Sequence, residues 1–133
     1  PQAEATFRSA KLDWTEREKP PHARVLLLYR ECLRLRAENA IFQSPPRSAW
    51  SVQQIGASVV ALRWREPAGD WLLLFGLAEG AHEVAGDVFA QPTADRTWRP
   101  VLASEDKRFG GQGHFDENRL VVPGPSTMLL REG

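Results

Sequence analysis

The sequence predicts a mainly β fold, an antiparallel β-sandwich preceded by one amphipathic α-helix. A single stretch near the start shows helical spacing of its apolar residues. After Pro45-Pro46 only short apolar or alternating runs follow, separated by turn residues at intervals of about 8–12 residues. The chain has 133 residues, which is enough for one core without disulfides or structural metals.

The helix is predicted over residues 20–39. Pro20-Pro21 opens it, because proline at the first helical position loses no hydrogen bond that the helix needs. Pro45-Pro46 prevents its continuation. The apolar side chains follow a spacing of three and four, as one helix face requires. That face consists of Val25, Leu28, Tyr29, Cys32 and Leu35.

Residues 41–133 are predicted to form the sandwich, with about seven or eight strands. Residues 1–19 carry Phe7 and Trp14 among charges and show no period, so they are predicted to lack regular structure. The predicted strands are residues 50–55, 58–65, 71–77, 82–84, 87–89, 98–103, 119–122 and 127–131.

The overall charge gives no support to a nucleic-acid or membrane partner. The chain has 17 basic and 17 acidic residues and a formal net charge of zero, so it lacks the excess of positive charge that such partners attract. No apolar run approaches the ~20 residues of a membrane span. Cys32 is the single cysteine and cannot form an internal disulfide, which fits a cytoplasmic protein.

The residues by themselves predict no active site, metal or cofactor. His22, His82 and His114 share no spacing typical of metal ligands. Two acidic pairs flank the stretch KRFGGQGHF, namely Glu105-Asp106 and Asp116-Glu117. They are interpreted as solvated turn residues. The GGQG stretch lacks the Gly-Lys-Ser/Thr ending of a phosphate loop, which favours a hairpin turn.

The tryptophans leave one binding hypothesis open. Trp50, Trp64, Trp71 and Trp98 lie on or beside predicted strands. An exposed row of such rings would bind sugars, whereas aromatic residues on strands more often pack in a core. Packing is the preferred interpretation.

The stretch PQAEATFRSAKLDWTEREKPPHARVLLLYRECLRLR resembles one family, the maltooligosyltrehalose trehalohydrolases of the α-amylase family of glycoside hydrolases. The stretches LASEDKRFGGQGHF and VVPGPSTMLLREG are similar to the closing strands of its C-terminal β-domain, although Phe-Gly-Gly-x-Gly also occurs in branching enzymes. The residues that match the opening motifs are Thr6, Phe7, Ser9, Lys11, Leu12, Asp13, Trp14, His22, Ala23, Tyr29, Arg30, Leu35 and Arg36.

The resemblance implies that residues 1–40 are the end of a catalytic (β/α)8 barrel, with 1–19 as the loop after its last strand and 20–39 as its last helix. The intact enzyme would serve trehalose biosynthesis by cleaving the α-1,4 bond next to the trehalose end of maltooligosyltrehalose. Its catalytic acids would come from earlier barrel strands. None of them maps onto this chain, which is therefore expected to be inactive alone.

The resemblance also implies a site and partners. Lys11, Asp13 and Trp14 would border the substrate cleft, because the loops after barrel strands surround the active site. The expected partners are the catalytic barrel of the same polypeptide and, through the intact enzyme, maltooligosyltrehalose or an α-glucan. Without a barrel, the helix is expected to self-associate or to be covered by residues 1–19, with Phe7 and Trp14 as the covering groups.

Three roles remain open for residues 41–133. A structural domain that supports the barrel is preferred. A starch-binding or α-glucan-binding module would require an exposed tryptophan row. The C-terminal domain of a glycogen branching enzyme is disfavoured by the segment Ser-x-Lys-Leu-Asp-Trp.

Overall fold

The computed structural model describes residues 3–113 and 119–133. Two α-helices come first, and short 3-10 helices lie between the later elements. The helices are α1 (Glu4–Ser9) and α2 (His22–Glu38), and the strands are β1 (Trp50–Ile55), β2 (Val59–Trp64), β3 (Trp71–Glu83), β4 (Trp98–Ala103) and β5 (Val121–Glu132).

The five strands form one antiparallel sheet in the order β1-β2-β3-β5-β4. The prediction of a mainly β, antiparallel fold after one long helix is confirmed. The prediction of seven or eight strands is wrong, since residues 119–122 and 127–131 contribute to one long strand, β5. Residues 82–84 lie at the end of β3. In the part of the chain that the structure describes, the strands belong to a single sheet, so a two-sheet sandwich is not confirmed.

Residues 87–89 were predicted as a strand, and the structure instead has a 3-10 helix at Val88–Ala90. The Asp87 carboxylate accepts a hydrogen bond from the Phe89 amide at 2.8 Å, which satisfies a donor at the helix start. A local side-chain cap thus outweighs the strand preference of Val88 and Phe89.

The segment before α2 also differs from its prediction. Residues 1–19 were expected to lack regular structure, yet α1 and a 3-10 helix at Trp14–Glu18 lie within it. Local polar contacts stabilise both: Arg8 donates to Glu4 at 2.6 Å, and Asp13 accepts from the Thr15 amide at 2.9 Å. Neither element contains a buried residue.

One face of the sheet carries the main core. Alternation along β2 and β3 directs every second side chain to that face, and the chain after β3 covers it. Its buried members are Ile55, Val59, Ala61, Leu72, Leu74, Val84, Ala90, Leu120, Val122, Met128 and Leu130.

The opposite face joins the sheet to the end of α2. Leu35 at that end is buried against Trp71 and Leu129. The following turn adds Phe42, whose ring meets those of Trp64 and Trp71 edge to face at centroid distances of 5.3 and 4.9 Å. The sheet thus holds α2 by its C-terminal end.

The N-terminal two thirds of α2 remains largely open. Val25 is 48% exposed and Tyr29 is 64% exposed. Phe7 and Trp14 are each 70% exposed, so the prediction that they cover this helix is wrong. Their own segment is kept in place by local hydrogen bonds that do not require burial of either ring.

Candidate functional site

Lys11, Asp13 and Trp14 lie together on the exposed segment between α1 and α2. Asp13 accepts hydrogen bonds from the Thr15 hydroxyl at 2.7 Å and from its amide at 2.9 Å. These two bonds hold the pKa of the Asp13 carboxyl below its usual value, and the bond from the hydroxyl has the larger effect. An ionised aspartate beside an open indole can contact a polar ligand, but no described residue completes an acid–base pair with it. The role of the three residues at a cleft rim stays a prediction.

The acidic residues Glu105 and Asp106 stabilise their own loop. Asp106 accepts from the Arg108 amide at 2.8 Å, and this bond, together with the Arg108 guanidinium, holds the pKa of the Asp106 carboxyl low. Glu105 accepts from the Gln112 amide at 3.1 Å. A glycosidase acid requires the opposite, a raised pKa that keeps its proton near neutral pH. Asp116 and Glu117 lie outside the described residues.

The GGQG stretch forms a compact turn that contacts α2. Gly110 has a φ of 95°, which favours glycine. The Arg24 side chain of α2 runs beside it, close to where a β-carbon would stand. Phe109 is buried next to it. The stretch thus makes a second packing contact with α2, whereas the sequence predicted only a hairpin turn.

The histidines among the described residues do not form a metal site. The His82 Nε2 atom is 2.9 Å from the Ala78 carbonyl oxygen. His22 begins α2, and His114 lies outside the described residues. Over 3–113 and 119–133, no three side chains among His, Cys, Asp and Glu are grouped to hold a metal ion.

Sequence reasoning missed a buried ion cluster at one end of the sheet. Arg63 donates to Asp70 at 2.7 Å and to Glu132 at 3.0 Å. Its third nitrogen donates to the carbonyls of Phe89 at 3.1 Å and Gln91 at 2.6 Å. The signal was present, because Arg63 continues the inward alternation of Val59 and Ala61 on β2.

The cluster keeps Glu132 ionised although the residue is only 4% exposed. Burial raises the pKa of the Glu132 carboxyl, but the amide of Asp70, the amide and hydroxyl of Thr93 and the charge of Arg63 outweigh it. The net pKa is therefore lowered. These bonds join β2, β5, the residue just before β3 and the segment between β3 and β4, so the cluster is a structural clamp.

The tryptophans differ in how far a ligand could reach them. Trp50, Trp64 and Trp71 are direct partners across β1, β2 and β3 and form a row. Trp71 is buried, Phe42 packs on Trp64, and the Arg47 guanidinium lies 4.1 Å from the Trp50 ring centroid. Each ring of the row is therefore at least partly covered, and the three do not form an open tryptophan platform across the strands.

Trp98 lines a larger cavity of mixed polarity. This cavity, of about 520 Å³, is bordered by Gln91, Thr97 and Arg99 as well as by apolar residues. It lies beside the main core, on the face of the sheet opposite to α2.

Comparison with known proteins relates the sequence of this chain to a trehalohydrolase. It is 41% identical over 85 residues to malto-oligosyltrehalose trehalohydrolase of Deinococcus radiodurans, a match that covers 64% of this chain. The resemblance to the trehalohydrolases is confirmed. The match spans 14% of the length of that trehalohydrolase, so the activity of the whole enzyme is a separate question. No protein-family profile matches the chain.

The fold itself has a relative among solved structures. A solved structure from Salmonella typhimurium, titled "Putative alpha Amylase", superposes with a TM-score of 0.65 over 98% of this chain, at 19% sequence identity. The chain corresponds to 20% of that amylase. At this identity the likeness establishes the fold alone, and it agrees with the α-amylase type of β-domain that the trehalohydrolase resemblance implies.

None of the described helices has the length and apolar character needed to cross a bilayer.

Proposed function

We propose that the chain is the non-catalytic C-terminal portion of a trehalose-releasing glycoside hydrolase. The intact enzyme would cleave the α-1,4 bond next to the trehalose end of maltooligosyltrehalose, in the cytoplasm. Within it, residues 1–40 would complete the catalytic barrel and residues 41–133 would form a structural domain that supports it. The trehalohydrolase match supports the enzyme class.

The apolar face of α2, called here the stripe, is buried at its C-terminal end and exposed nearer its start, and this difference supports the structural role. Leu35 is 6% exposed and is seated on the sheet, whereas Val25, Tyr29 and Cys32 of the same predicted face are exposed. Val52, on the same side of the sheet as Leu35, is 52% exposed. Large apolar side chains gain about 1.5–3 kcal/mol each when buried, so these surfaces favour a further layer. The proposal assigns that layer to the barrel of the same polypeptide; a second copy of the chain is the alternative.

The double change Val25→Ser and Tyr29→Ser tests the role of the stripe. In the isolated chain the thermal midpoint should stay the same, because both side chains are largely exposed. In the intact enzyme the midpoint should fall, by the equivalent of about 1.5–3 kcal/mol for each buried side chain. Differential scanning calorimetry of both proteins measures the difference.

Arg30→Ser is the matched control, because Arg30 is an exposed helix residue outside the stripe. It should leave both proteins unchanged. Equal midpoints for the double variant and the unaltered intact enzyme would contradict the proposed role. Sedimentation of the isolated chain as a concentration-dependent dimer that the double change abolishes would favour the self-association alternative.

The isolated chain should release no trehalose from maltooligosyltrehalose. The described carboxylates of its glycine-rich loop have structural hydrogen bonds, and Asp106 has a lowered pKa. A coupled assay for trehalose should therefore give the buffer rate. Release above that rate, lost on changing Asp106 or Asp116, would show that the chain carries catalytic acids of its own.

The rim role of Lys11, Asp13 and Trp14 is part of the same proposal, supported by the exposure of the Trp14 ring. Trp14→Ala in the intact enzyme should raise KM for maltooligosyltrehalose, because a stacking surface would be lost. Steady-state kinetics on short and long substrates check this. Unchanged KM and kcat for both would remove Trp14 from the cleft.

A further inference from the structure

We propose that the cavity beside Trp98, called here the Trp98 cavity, is a binding subsite for a glucose unit of an α-glucan. The cavity has a volume of about 520 Å³, within the range of about 300–1,000 Å³ typical of small-molecule sites. The choice of sugar rests on the proposed function. The site itself lies on the face of the sheet opposite to α2, and the proposed function assigns no role to that face.

The Trp98 ring is held in a fixed position. Its Nε1–H donates to the Ala90 carbonyl at 2.7 Å. The Arg63 guanidinium of the buried cluster lies 5.4 Å from the ring centroid and occupies one face. A rigid indole offers apolar surface to a pyranose ring at little cost in conformational entropy. Trp98 is half-buried against the main core, and the part of the ring that lines the cavity is the surface available to a sugar.

Polar side chains of three kinds surround this ring. Gln91, Thr97 and Arg99 line the cavity and supply an amide, a hydroxyl and a guanidinium. Within the described residues, the side chains of Gln91 and Arg99 form no hydrogen bond with another residue, while the Thr97 hydroxyl makes only a long contact of 3.4 Å to the Gly133 carbonyl. Sugar hydroxyls both donate and accept, so this set matches a neutral carbohydrate.

The buried cluster also holds the wall of the cavity. Arg63 donates to the Gln91 carbonyl at 2.6 Å, and Glu132 accepts from the Thr93 amide at 2.7 Å. The segment between β3 and β4 that carries Gln91 and Pro92 is thereby attached to the sheet. The subsite is thus preorganised by the same charges that stabilise the fold.

The second aromatic pocket lacks these features. It measures about 280 Å³, and Trp50 and Trp64 line it together with the apolar residues Ile41, Phe42, Pro45 and Leu62. Apart from the indole N–H groups of Trp50 and Trp64, its lining side chains are apolar, so it lacks the amide, hydroxyl and guanidinium of the Trp98 cavity. The Arg47 guanidinium also covers one face of Trp50. The two pockets therefore offer a matched pair for a binding test.

Isothermal titration of the full 133-residue chain with maltotriose tests the proposal. We expect a Kd on the order of 1 mM, typical of a small ligand held by one aromatic platform and a few hydrogen bonds. The double change Gln91→Ala and Arg99→Ala should weaken binding about tenfold or more. Both residues are exposed, so the fold should be retained, which the thermal midpoint verifies. Arg47→Ala, at the second aromatic pocket, should leave Kd unchanged.

Three outcomes would overturn the subsite: no heat of binding at about 10 mM maltotriose, equal affinity in the double variant, or loss of affinity in Arg47→Ala instead. Binding of cellotriose in preference to maltotriose would overturn the assignment to α-glucans. None of these results touches the barrel-supporting role, which is measured independently by the midpoint of the intact enzyme. Conversely, the loss of that role would leave a measured maltotriose affinity standing.

Discussion

Arg63→Met is expected to lower the free energy of unfolding by about 3–5 kcal/mol. The substitution keeps much of the apolar volume but removes the cation that faces Asp70 and Glu132, which are 7% and 4% exposed. Two buried carboxylates would then lie near each other without their shared counterion. The carbonyls of Phe89 and Gln91 would lose their donor as well. Chemical denaturation measures the loss.

The pH dependence separates this mechanism from simple loss of packing. In the unaltered chain the pKa of Glu132 is lower in the folded state than its ordinary value, so its stabilisation is complete above the ordinary glutamate pKa of about 4.3 and is lost as the pH falls through the folded pKa. Arg63→Met removes one of the causes that lower the pKa of Glu132 and leaves its burial in place, so this pKa should be lowered less in the variant. The variant should therefore lose less stability than the unaltered chain as the pH falls.

Arg65→Met is the matched control, since Arg65 follows on the same stretch of chain and is exposed. Its expected change is within about 0.5 kcal/mol. Adding Glu132→Gln and Asp70→Asn to Arg63→Met should recover part of the loss, because the unpaired charges are removed. A loss in Arg63→Met that neither acid nor these additions relieve would show that packing, and not charge pairing, sets the contribution of this residue.

Gly111→Ala is expected to destabilise the chain by about 1–3 kcal/mol or more. A β-carbon at residue 111 would overlap the backbone of Glu105, and a backbone cannot turn aside as a side chain can. Relief requires the loop to open, which would break the bonds from the Gln112 amide to the Glu105 carboxylate and from the Gly113 amide to the Glu105 carbonyl, at 3.1 and 2.7 Å. The contact with α2 through Arg24 and Gly110 would weaken with it.

Gly86→Ala provides the comparison, because a β-carbon at residue 86 would stand in open space. Its thermal midpoint should stay close to that of the unaltered chain. Amide exchange should report faster opening at the start of α2 in Gly111→Ala and no change there in Gly86→Ala. An unaltered midpoint in Gly111→Ala would mean that the loop holds the helix less closely than the structure describes.

Local patterns were enough to predict much of the fold. The helix over 20–39 corresponds to α2 (His22–Glu38), and two of the predicted strands coincide with β1 and β4. These elements follow from spacing and from proline, which act within a few residues along the chain. The trehalohydrolase resemblance was likewise readable from contiguous motifs, and the match to the Deinococcus radiodurans enzyme confirmed it.

The elements that were mistaken depend on longer or finer interactions. Pro123, Gly124 and Pro125 look like a break between two strands, yet β5 runs through them because β3 pairs with it on both sides of an irregular register. The Asp87 cap turned a predicted strand into a 3-10 helix. Cross-strand partners and single capping bonds leave no periodic trace in the sequence.

The use of each tryptophan and of each buried charge was also beyond the sequence. Trp50, Trp64, Trp71 and Trp98 occupy similar positions in strand-like runs, but their surroundings differ. Trp71 is buried, Trp50 and Trp64 line a small, mostly apolar pocket, and Trp98 lines a larger cavity with polar neighbours. Arg63 meets Glu132 across 69 residues of chain. Spacing along the chain indicates which face of an element a side chain occupies. Whether that side chain is buried, and which partner it meets, depends on the distant segments that pack against the face. Only the tertiary structure shows which segments these are.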